Sequence, residues 1–193
     1  MGNFGSIKNM LHHIDIECEE TDDIKKISSA KKIILPGVGS FNAAMKQIKK
    51  LGIEKILNQK ALEEKIPILG ICLGMQLLTK TSEEGDLKGL GFINAHVLKF
   101  ELSKDFPVPH MGWNNVKICK NTLLSNNLNS ESRFYFAHSF YVMPENSENT
   151  IFETDYSFNF SSGIQQQNIF GVQFHPEKSH KYGMQLLKNF SEY

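Results

Sequence analysis

The first half of the chain alternates short apolar runs with amphipathic segments. Lys31-Lys32-Ile33-Ile34-Leu35 ends at Pro36-Gly37, and residues 66–71 lead directly into Cys72-Leu73-Gly74. A helical spacing of apolar residues follows each run. Short apolar runs ended by glycine or proline are typical of buried strands, and such strands separated by helices form parallel sheets covered on both faces. The pattern therefore predicts an α/β domain with a mostly parallel central sheet flanked by helices.

The second half is dominated by strand-like segments. These are residues 92–100, 133–143, 151–156, 161–167 and 169–174, followed by a predicted closing helix over residues 180–190. We expect them to add antiparallel strands to the sheet. A chain of 193 residues is long enough for one hydrophobic core and too short for two, so we predict a single domain over residues 1–193.

The charge balance and the length of the longest apolar stretch limit the possible partners and the cellular location of the protein. Lys and Arg together number 21, as do Asp and Glu, so the chain lacks the basic excess that phosphate binding needs. The longest apolar stretch, residues 66–78, contains proline, glycine and glutamine and is shorter than the roughly 20 residues that span a bilayer. We expect no nucleic-acid partner, no membrane segment and a cytoplasmic protein.

The cysteines are widely spaced. Cys18, Cys72 and Cys119 include no Cys-x-x-Cys pair. This pattern argues against a disulfide framework or a structural zinc site, and it favours a reducing compartment.

One cysteine lies in a tight motif, Gly70-Ile71-Cys72-Leu73-Gly74, where a predicted strand passes directly into a predicted helix. Gly-x-Cys-x-Gly at such a junction is the thiol form of a nucleophile elbow, and its glycines are needed because a Cβ atom would clash in so sharp a turn. The alternative is a structural cysteine in the core, since free cysteine is among the most buried residue types.

A histidine and a glutamate that would serve such a thiol lie far downstream. His175-Pro176-Glu177 follows the strand pattern of residues 169–174. Pro176 biases His175 toward an extended conformation, in which a side chain two positions on points to the same side. Singly, His175 could be a loop histidine and Glu177 a helix cap. Together with the elbow they predict a Cys72–His175–Glu177 triad, in which the carboxylate orients the base of a thiol nucleophile.

A third segment, Pro36-Gly37-Val38-Gly39-Ser40, ends the first predicted strand. Glycines at a strand-to-helix junction allow backbone N–H groups to face outward, as in an oxyanion hole. The segment could equally be a simple turn, and it lacks the third glycine of a dinucleotide-binding motif. Alone it decides nothing.

Together these motifs resemble the class I (triad) glutamine amidotransferases over nearly the whole chain. Within that superfamily the sequence is most similar to the glutaminase subunits of imidazole glycerol phosphate synthase. The stretches that carry the resemblance are Met1-Gly2-Asn3-Phe4-Gly5-Ser6, residues 36–41, residues 70–78, Pro109-His110-Met111-Gly112-Trp113-Asn114 and residues 174–179. The elbow and His-Pro-Glu are shared across the superfamily. The tryptophan-containing stretch and Lys178-Ser179 are typical of a much narrower group of proteins within it.

The resemblance implies a role for each matching position of the catalytic centre. Cys72 would be the nucleophile, His175 its base and Glu177 the orienting carboxylate. The backbone N–H of Leu73 and the loop Gly37-Val38-Gly39 would stabilise the oxyanion.

The resemblance also implies contacts with substrate and partner. Gln76 and Ala137-His138-Ser139-Phe140 would hold the amino-acid end of glutamine. The family usually has tyrosine at position 140, so any contact of that hydroxyl is lost here. Pro109, His110, Met111, Gly112, Trp113 and Asn114 would form part of a docking surface, although Trp113 could also be a core aromatic residue. We interpret the glycine-flanked stretch as a loop, which favours the interface.

The implied activity is hydrolysis of glutamine to glutamate and ammonia, without a cofactor or metal. The ammonia would pass to a separate cyclase subunit with a (β/α)8 barrel, in a heterodimer of histidine biosynthesis. One alternative is a paralogue that supplies an acetamidino-sugar amidotransferase in surface glycan synthesis, because histidine-pathway members more often have glycine where this chain has His180. A non-catalytic module that retains the fold is a further alternative.

One departure from the family concerns the N-terminus. Members normally begin with a short apolar strand before the Gly-Asn turn, and this sequence starts at the turn itself. Without that strand, backbone groups and apolar surface of its neighbours are exposed. We expect added upstream residues to raise stability.

Overall fold

The computed structural model describes residues 4–37 and 39–193, so the predictions on Met1, Gly2, Asn3 and Val38 lie outside the described residues. The first half contains α1 (Phe4–His13), α2 (Ile24–Ser29), β1 (Ile33–Gly37), α3 (Phe41–Lys50), α4 (Ile53–Asn58) with a π-helical turn (Gln59–Glu63), β2 (Ile68–Cys72), α5 (Leu73–Leu77) and β3 (Thr81–Ser82). The second half contains β4 (Ala95–Lys99), β5 (His110–Asn115), β6 (Lys117–Ile118), β7 (Arg133–His138), β8 (Phe140–Pro144), β9 (Thr150–Tyr156), β10 (Phe158–Gln166), β11 (Ile169–Val172) and α6 (His180–Ser191). Short 3-10 helices cover Leu123–Ser125, Ser147–Asn149 and Pro176–Lys178.

The main sheet joins a parallel part to an antiparallel part. Within the described ranges its order is β1-β2-β11-β10-β8-β4-β3, and β9 and β6 extend it from β10. β2 lies parallel to both β1 and β11, and β3 lies parallel to β4. The other pairings in this sheet are antiparallel. The predicted α/β fold with added antiparallel strands is confirmed.

The central strand β2 is buried on both faces. Leu69 and Ile71 pack in a cluster with residues of α1 and α6, whereas Ile68 packs in a second cluster with Leu57 of α4 and with α5. Successive side chains of a strand point to opposite faces, so helices on both sides of the sheet cover this one strand. The arrangement fixes the carboxyl end of β2, where Cys72 lies.

The stretch that we predicted as a docking loop forms a strand instead. β5 pairs antiparallel with β7 over its whole length, in a separate two-stranded sheet. His110 lies opposite His138 in this pairing. The glycine at position 112 does not interrupt the strand, because its φ of +135° is a conformation that glycine adopts freely.

The predicted strand over residues 133–143 is divided in two. β7 ends at His138 and β8 begins at Phe140, so Ser139 marks a break between two sheets. None of the helices in the described ranges is long and apolar enough to cross a bilayer.

Candidate active site

Cys72 lies at the turn between β2 and α5, and the turn is as sharp as the motif requires. Its φ is 55° and its ψ is −111°, a conformation that non-glycine residues rarely adopt. A Cβ atom on Gly70 would lie 2.6 Å from the carbonyl of Gly74, and one on Gly74 would lie 1.7 Å from the carbonyl oxygen of Leu35. Both positions therefore need glycine, as in a nucleophile elbow.

His175 is held near the elbow by backbone contacts with β7. Its N–H donates to the carbonyl oxygen of Tyr135 at 2.8 Å. The buried hydroxyl of Ser179 donates to the carbonyl oxygen of His175 at 2.6 Å and accepts the N–H of Tyr135 at 3.0 Å. Ser179 therefore ties the histidine to the neighbouring strand, a role that its place in the Lys178-Ser179 signature did not indicate.

The carboxylate of Glu177 orients the imidazole of His175. His175 Nδ1 lies 2.8 Å from Glu177 Oε1, and the two side chains are 6% and 2% exposed. We predicted an extended segment, but only His175 is extended, with φ −102° and ψ 96°, and Pro176–Lys178 form a 3-10 turn that brings the carboxylate back toward the ring. Glu177 Oε2 is buried without a hydrogen-bond partner among the described residues.

Burial and two neighbouring side chains change the pKa of His175 in opposite directions. Burial lowers the pKa of His175, but hydrogen bonds and charge interactions with Cys72 and Glu177 outweigh it and raise the pKa to about 9. Glu177 engages Nδ1, so Nε2 is the ring nitrogen that would serve a nucleophile. A histidine that a carboxylate orients and whose pKa a neighbouring cysteine sulfur raises suits a Cys-His-Glu triad.

Two glutamines connect the sulfur to the predicted substrate-binding segment. Gln76 Nε2 donates to Gln173 Oε1 at 3.1 Å and to the carbonyl oxygen of Phe140 at 3.4 Å. Gln173 Nε2 lies 3.7 Å from Cys72 Sγ and donates toward it. No role was predicted for Gln173 from the sequence. The available signal was a glutamine inside the apolar strand pattern of residues 169–174, because a buried amide needs partners.

The predicted glutamine-binding segment lies at the break between β7 and β8, beside the sulfur. Cys72 Sγ is 4.0 Å from the carbonyl oxygen of Ala137, and Ser139 and Phe140 are partly exposed. The side chain of His138 is buried and hydrogen-bonded inside the protein, to the Phe140 carbonyl oxygen at 2.7 Å and to His110 at 3.0 Å. Only the main chain of His138 is therefore available to a substrate.

The predicted oxyanion groups flank the elbow. Gly37 is paired with Cys72 in the register of β1 and β2. A Cβ atom on Gly37 would lie 3.0 Å from the backbone nitrogen of Gly74 and 3.0 Å from Leu73 Cβ, so its backbone lies against the residues that follow the nucleophile. Gly39 has a φ of +98°, and Val38 between the two glycines lies outside the described residues.

The predicted docking stretch presents only part of its residues to solvent. Met111 is 64% and Trp113 43% exposed, and Pro109 is also exposed. Trp113 stacks on His180 with ring centroids 5.5 Å apart. His110 is buried, contrary to the expectation of a surface contact, because strand alternation turns it inward. Gly112 and Asn114 are half-buried.

Comparison with known proteins agrees with this geometry. Residues 4–192 match the family described as glutamine amidotransferase class-I. The chain is 57% identical over 190 residues to the imidazole glycerol phosphate synthase subunit HisH 2 of Methanococcus maripaludis, covering 98% of this chain and 94% of the relative. It is 42% identical over 192 residues to the subunit of the same name from Pseudomonas aeruginosa, covering 100% and 95%.

A solved structure supports the fold. A crystal structure of a glutamine amidotransferase superposes with a TM-score of 0.76 at 19% identity, covering 99% of this chain and 93% of that one. The elbow, the histidine–glutamate pair and the family match over residues 4–192 lead to one conclusion: the chain is an enzyme of the class-I glutamine amidotransferase family.

Proposed function

We propose that this chain is the glutaminase subunit of an imidazole glycerol phosphate synthase, which hydrolyses glutamine and passes the ammonia to a cyclase subunit. The observation that carries the proposal is the 2.8 Å bond of His175 to Glu177 at the carboxyl end of the parallel strands, where the Cys72 sulfur also raises the pKa of His175. The names of the relatives at 57% and 42% identity support the choice of acceptor.

The reaction begins at the sulfur. Cys72 Sγ attacks as a thiolate on the side-chain amide carbon of glutamine, and the amide oxygen takes the electron pair of the C=O bond. The backbone N–H of Leu73 and the loop Gly37-Val38-Gly39 would stabilise this oxyanion. His175 donates its proton to the amide nitrogen, the C–N bond breaks, and ammonia leaves a γ-glutamyl thioester.

The second half of the reaction regenerates the enzyme. His175, now neutral, takes a proton from water as the water oxygen attacks the thioester carbon. The carbon–sulfur bond breaks, glutamate leaves, and the sulfur and the imidazolium return to their starting states. Glu177 holds the ring in one orientation throughout through its bond to Nδ1.

The substrate would be held beside the sulfur by polar groups of a side chain and of the main chain. Gln76 and the main chain of residues 137–140 border the elbow, and Ser139 and Phe140 are partly exposed there. Their carbonyl and N–H groups suit the α-amino and carboxylate groups of glutamine. Phe140 carries no hydroxyl, so main-chain groups provide the polar contacts of this position.

The partner would be a cyclase with a (β/α)8 barrel, forming a heterodimer through the exposed face of β5. Met111 and Trp113 are large apolar side chains at 64% and 43% exposure on this face. Arg133 lies over the Trp113 ring at 5.7 Å, and aromatic and arginine side chains are enriched among residues that carry binding energy. Released ammonia would then reach the cyclase through protein and not through solvent.

We assign residues 1–193 to one domain in the cytoplasm. Two of the apolar clusters share strand β2, and the third contains Leu73, which directly follows it. The cysteines of the described ranges, Cys18, Cys72 and Cys119, are free thiols, which suits a reducing compartment.

The proposal is tested by glutamate release and product formation with a purified cyclase of the histidine pathway. We expect a complex on size exclusion, slow glutamate release by the chain alone, and faster release once the cyclase and its ligand are present. Cys72→Ala should abolish release, whereas Cys119→Ala, which removes an exposed thiol, should not. A Cys72→Ala variant that still releases glutamate would contradict the catalytic assignment.

A second acceptor is favoured by one observation on the docking face. His180 has a φ of +45°, where glycine is the more common residue, and its ring stacks flat on the exposed Trp113. This bulk would change the surface that a partner meets, as expected of a paralogue that supplies an acetamidino-sugar amidotransferase. Mixing the chain with each type of synthase and measuring glutamine-dependent product separates the two acceptors, because the glutaminase step is the same in both.

A further inference from the structure

Two buried histidines that the proposed reaction does not use lie next to the glutamine site. His110 on β5 and His138 on β7 are 3% and 5% exposed. They occupy opposite positions in the pairing of the two strands, and His110 Nδ1 lies 3.0 Å from His138 Nε2. Strand β7 thus carries His138, whose ring contacts the substrate segment. Strand β5 carries the exposed Met111 and Trp113.

The partners of these rings fix the tautomer of each. The carbonyl oxygen of Phe140 can only accept, so His138 Nδ1 carries the hydrogen in its 2.7 Å bond to that oxygen. His138 Nε2 is then the acceptor, and His110 Nδ1 donates to it. His110 Nε2 in turn accepts from Asn114 Nδ2 at 3.4 Å. Each ring therefore donates once and accepts once.

Both rings are neutral, as these tautomers require. Burial lowers the pKa of His110 to about 4. Burial is also the main cause that lowers the pKa of His138 to about 3. Packing holds the His110 ring in place, because it stacks on Tyr156 at 4.0 Å and on Phe136 at 4.7 Å between ring centroids.

The hydrogen bonds continue from these rings to the nucleophile. The Phe140 carbonyl oxygen that accepts from His138 also accepts from Gln76 Nε2 at 3.4 Å. Gln76 donates to Gln173 at 3.1 Å, and Gln173 donates toward the Cys72 sulfur at 3.7 Å. Phe140 begins β8 and pairs with Lys99 of β4. Of the two side-chain bonds to its carbonyl oxygen, the bond from His138 at 2.7 Å is shorter than the bond from Gln76 at 3.4 Å, so the histidine side chain helps to orient this carbonyl.

We propose that His110 and His138 are positioning residues of the glutamine site, which orient the Phe140 carbonyl and, through it, Gln76 and Gln173 beside the Cys72 sulfur. The inference rests on the proposed glutaminase function. It adds that the donor at His110 Nδ1, and not merely an aromatic ring at this position, is required for productive glutamine binding. The catalytic triad itself does not depend on this donor.

Two substitutions of His110 separate the hydrogen bond from the packing. His110→Phe keeps a ring between Tyr156 and Phe136 but removes the donor to His138. His110→Asn loses the ring but keeps an N–H at the position of Nδ1. Leu57→Ala is the matched control for lost stability, because it removes buried apolar volume in α4 without touching a polar group of the site.

The readout is alkylation of Cys72 in the full chain by two reagents, followed by mass spectrometry. The diazo-ketone analogue of glutamine needs the substrate site, whereas iodoacetamide needs only a reactive thiol. We expect His110→Phe to slow labelling by the glutamine analogue about tenfold while its iodoacetamide rate stays within about twofold. His110→Asn should melt lower and yet label within about threefold of the unsubstituted chain, as should Leu57→Ala.

Three results would overturn the inference. The first is His110→Phe reacting with the glutamine analogue as fast as the unsubstituted chain. The second is His110→Asn being as slow as His110→Phe, which would assign the effect to packing. The third is failure of the unsubstituted chain to react at Cys72, which would remove the proposed function as well; the first two leave that function intact.

Discussion

The hydroxyl of Ser179 lies 2.6 Å from the carbonyl oxygen of His175, and Ser179 is fully buried. A second bond, from the N–H of Tyr135 at 3.0 Å, makes this serine the link between the histidine and strand β7. Removing it leaves the Tyr135 N–H without this acceptor and leaves the His175 carbonyl oxygen with the N–H of Lys178 at 3.0 Å. The positions of His175 and Tyr135 relative to each other therefore depend in part on this one hydroxyl.

Ser179→Ala should lower both stability and activity. We expect a loss of about 1–3 kcal/mol in the free energy of unfolding, because buried groups lose their hydrogen bonds. Urea unfolding measures this loss, and glutamate release measures the displacement of His175. Ser29→Ala serves as the control, since Ser29 is exposed and its hydroxyl bonds only within its own helix. Equal unfolding midpoints for the two variants would show that the Ser179 link is not needed.

The fall of activity at high pH should follow the loss of the proton from His175. Its pKa is raised to about 9, so the proton that ammonia release requires stays on the ring until the pH rises through that value. We expect kcat/KM for glutamine to fall above about pH 9. Glu177→Gln removes one of the interactions that raise this pKa, so the fall should begin at lower pH. A pH profile with the same alkaline midpoint in both proteins would contradict the role of Glu177.

The buried histidine pair should make the fold sensitive to mild acid. Burial lowers the pKa of His110 to about 4 and, as the main cause, that of His138 to about 3, against an ordinary value of 6.5. The unfolded chain then binds more protons, so this contribution is complete above pH 6.5 and is lost as the pH falls toward the folded values.

The groups that face the pair contribute little compensating charge. They are the rings of Phe100, Phe136, Tyr156 and Phe160, the amide of Asn114 and, by its charge, His175. Near pH 5.5, each histidine should lower the free energy of unfolding by about 1.4 kcal/mol for each unit by which the pH falls. His110→Phe should therefore have a shallower slope of unfolding free energy against pH between about 5 and 6.5. Parallel slopes for the two proteins would show that His110 is not neutral in the fold.

The outer edge of β1 should accept another strand. Among residues 4–37 and 39–193, only β2 pairs with β1, and all five residues of β1 are half-buried. An apolar extension of about six residues upstream of the chain should raise the melting temperature by pairing with this edge. The matched control is a Gly-Ser extension of equal length. If both extended chains melt at the same temperature, the edge does not limit stability.

The residues of the elbow could be predicted because the motif itself is local in the sequence. Gly70 is needed because a Cβ atom there would meet the Gly74 backbone within one turn, and Gly74 is needed because its Cβ atom would meet the carbonyl oxygen of Leu35 on β1. The His175–Glu177 contact was also predictable, although a 3-10 turn and not an extended segment forms it. Here the short separation in sequence limited the possible geometries.

The features that the sequence left hidden depend on pairing between distant segments. β5 is a strand because β7 pairs with it, and nothing local distinguishes its glycine from that of a loop. The inward direction of His110 and the bond between Gln173 and Cys72 follow from the same long-range packing. Periodicity identifies which residues alternate, but it does not identify the strand or side chain that they meet.

The central assignment is that Cys72 is a nucleophile for glutamine, and its most direct test is the site of covalent modification by the diazo-ketone analogue of glutamine. We expect one adduct on Cys72, suppressed by excess glutamine, with Cys18 and Cys119 unmodified. Peptide mass spectrometry reads all three positions in one experiment. An unmodified Cys72, or an adduct that excess glutamine does not suppress, would contradict the assignment.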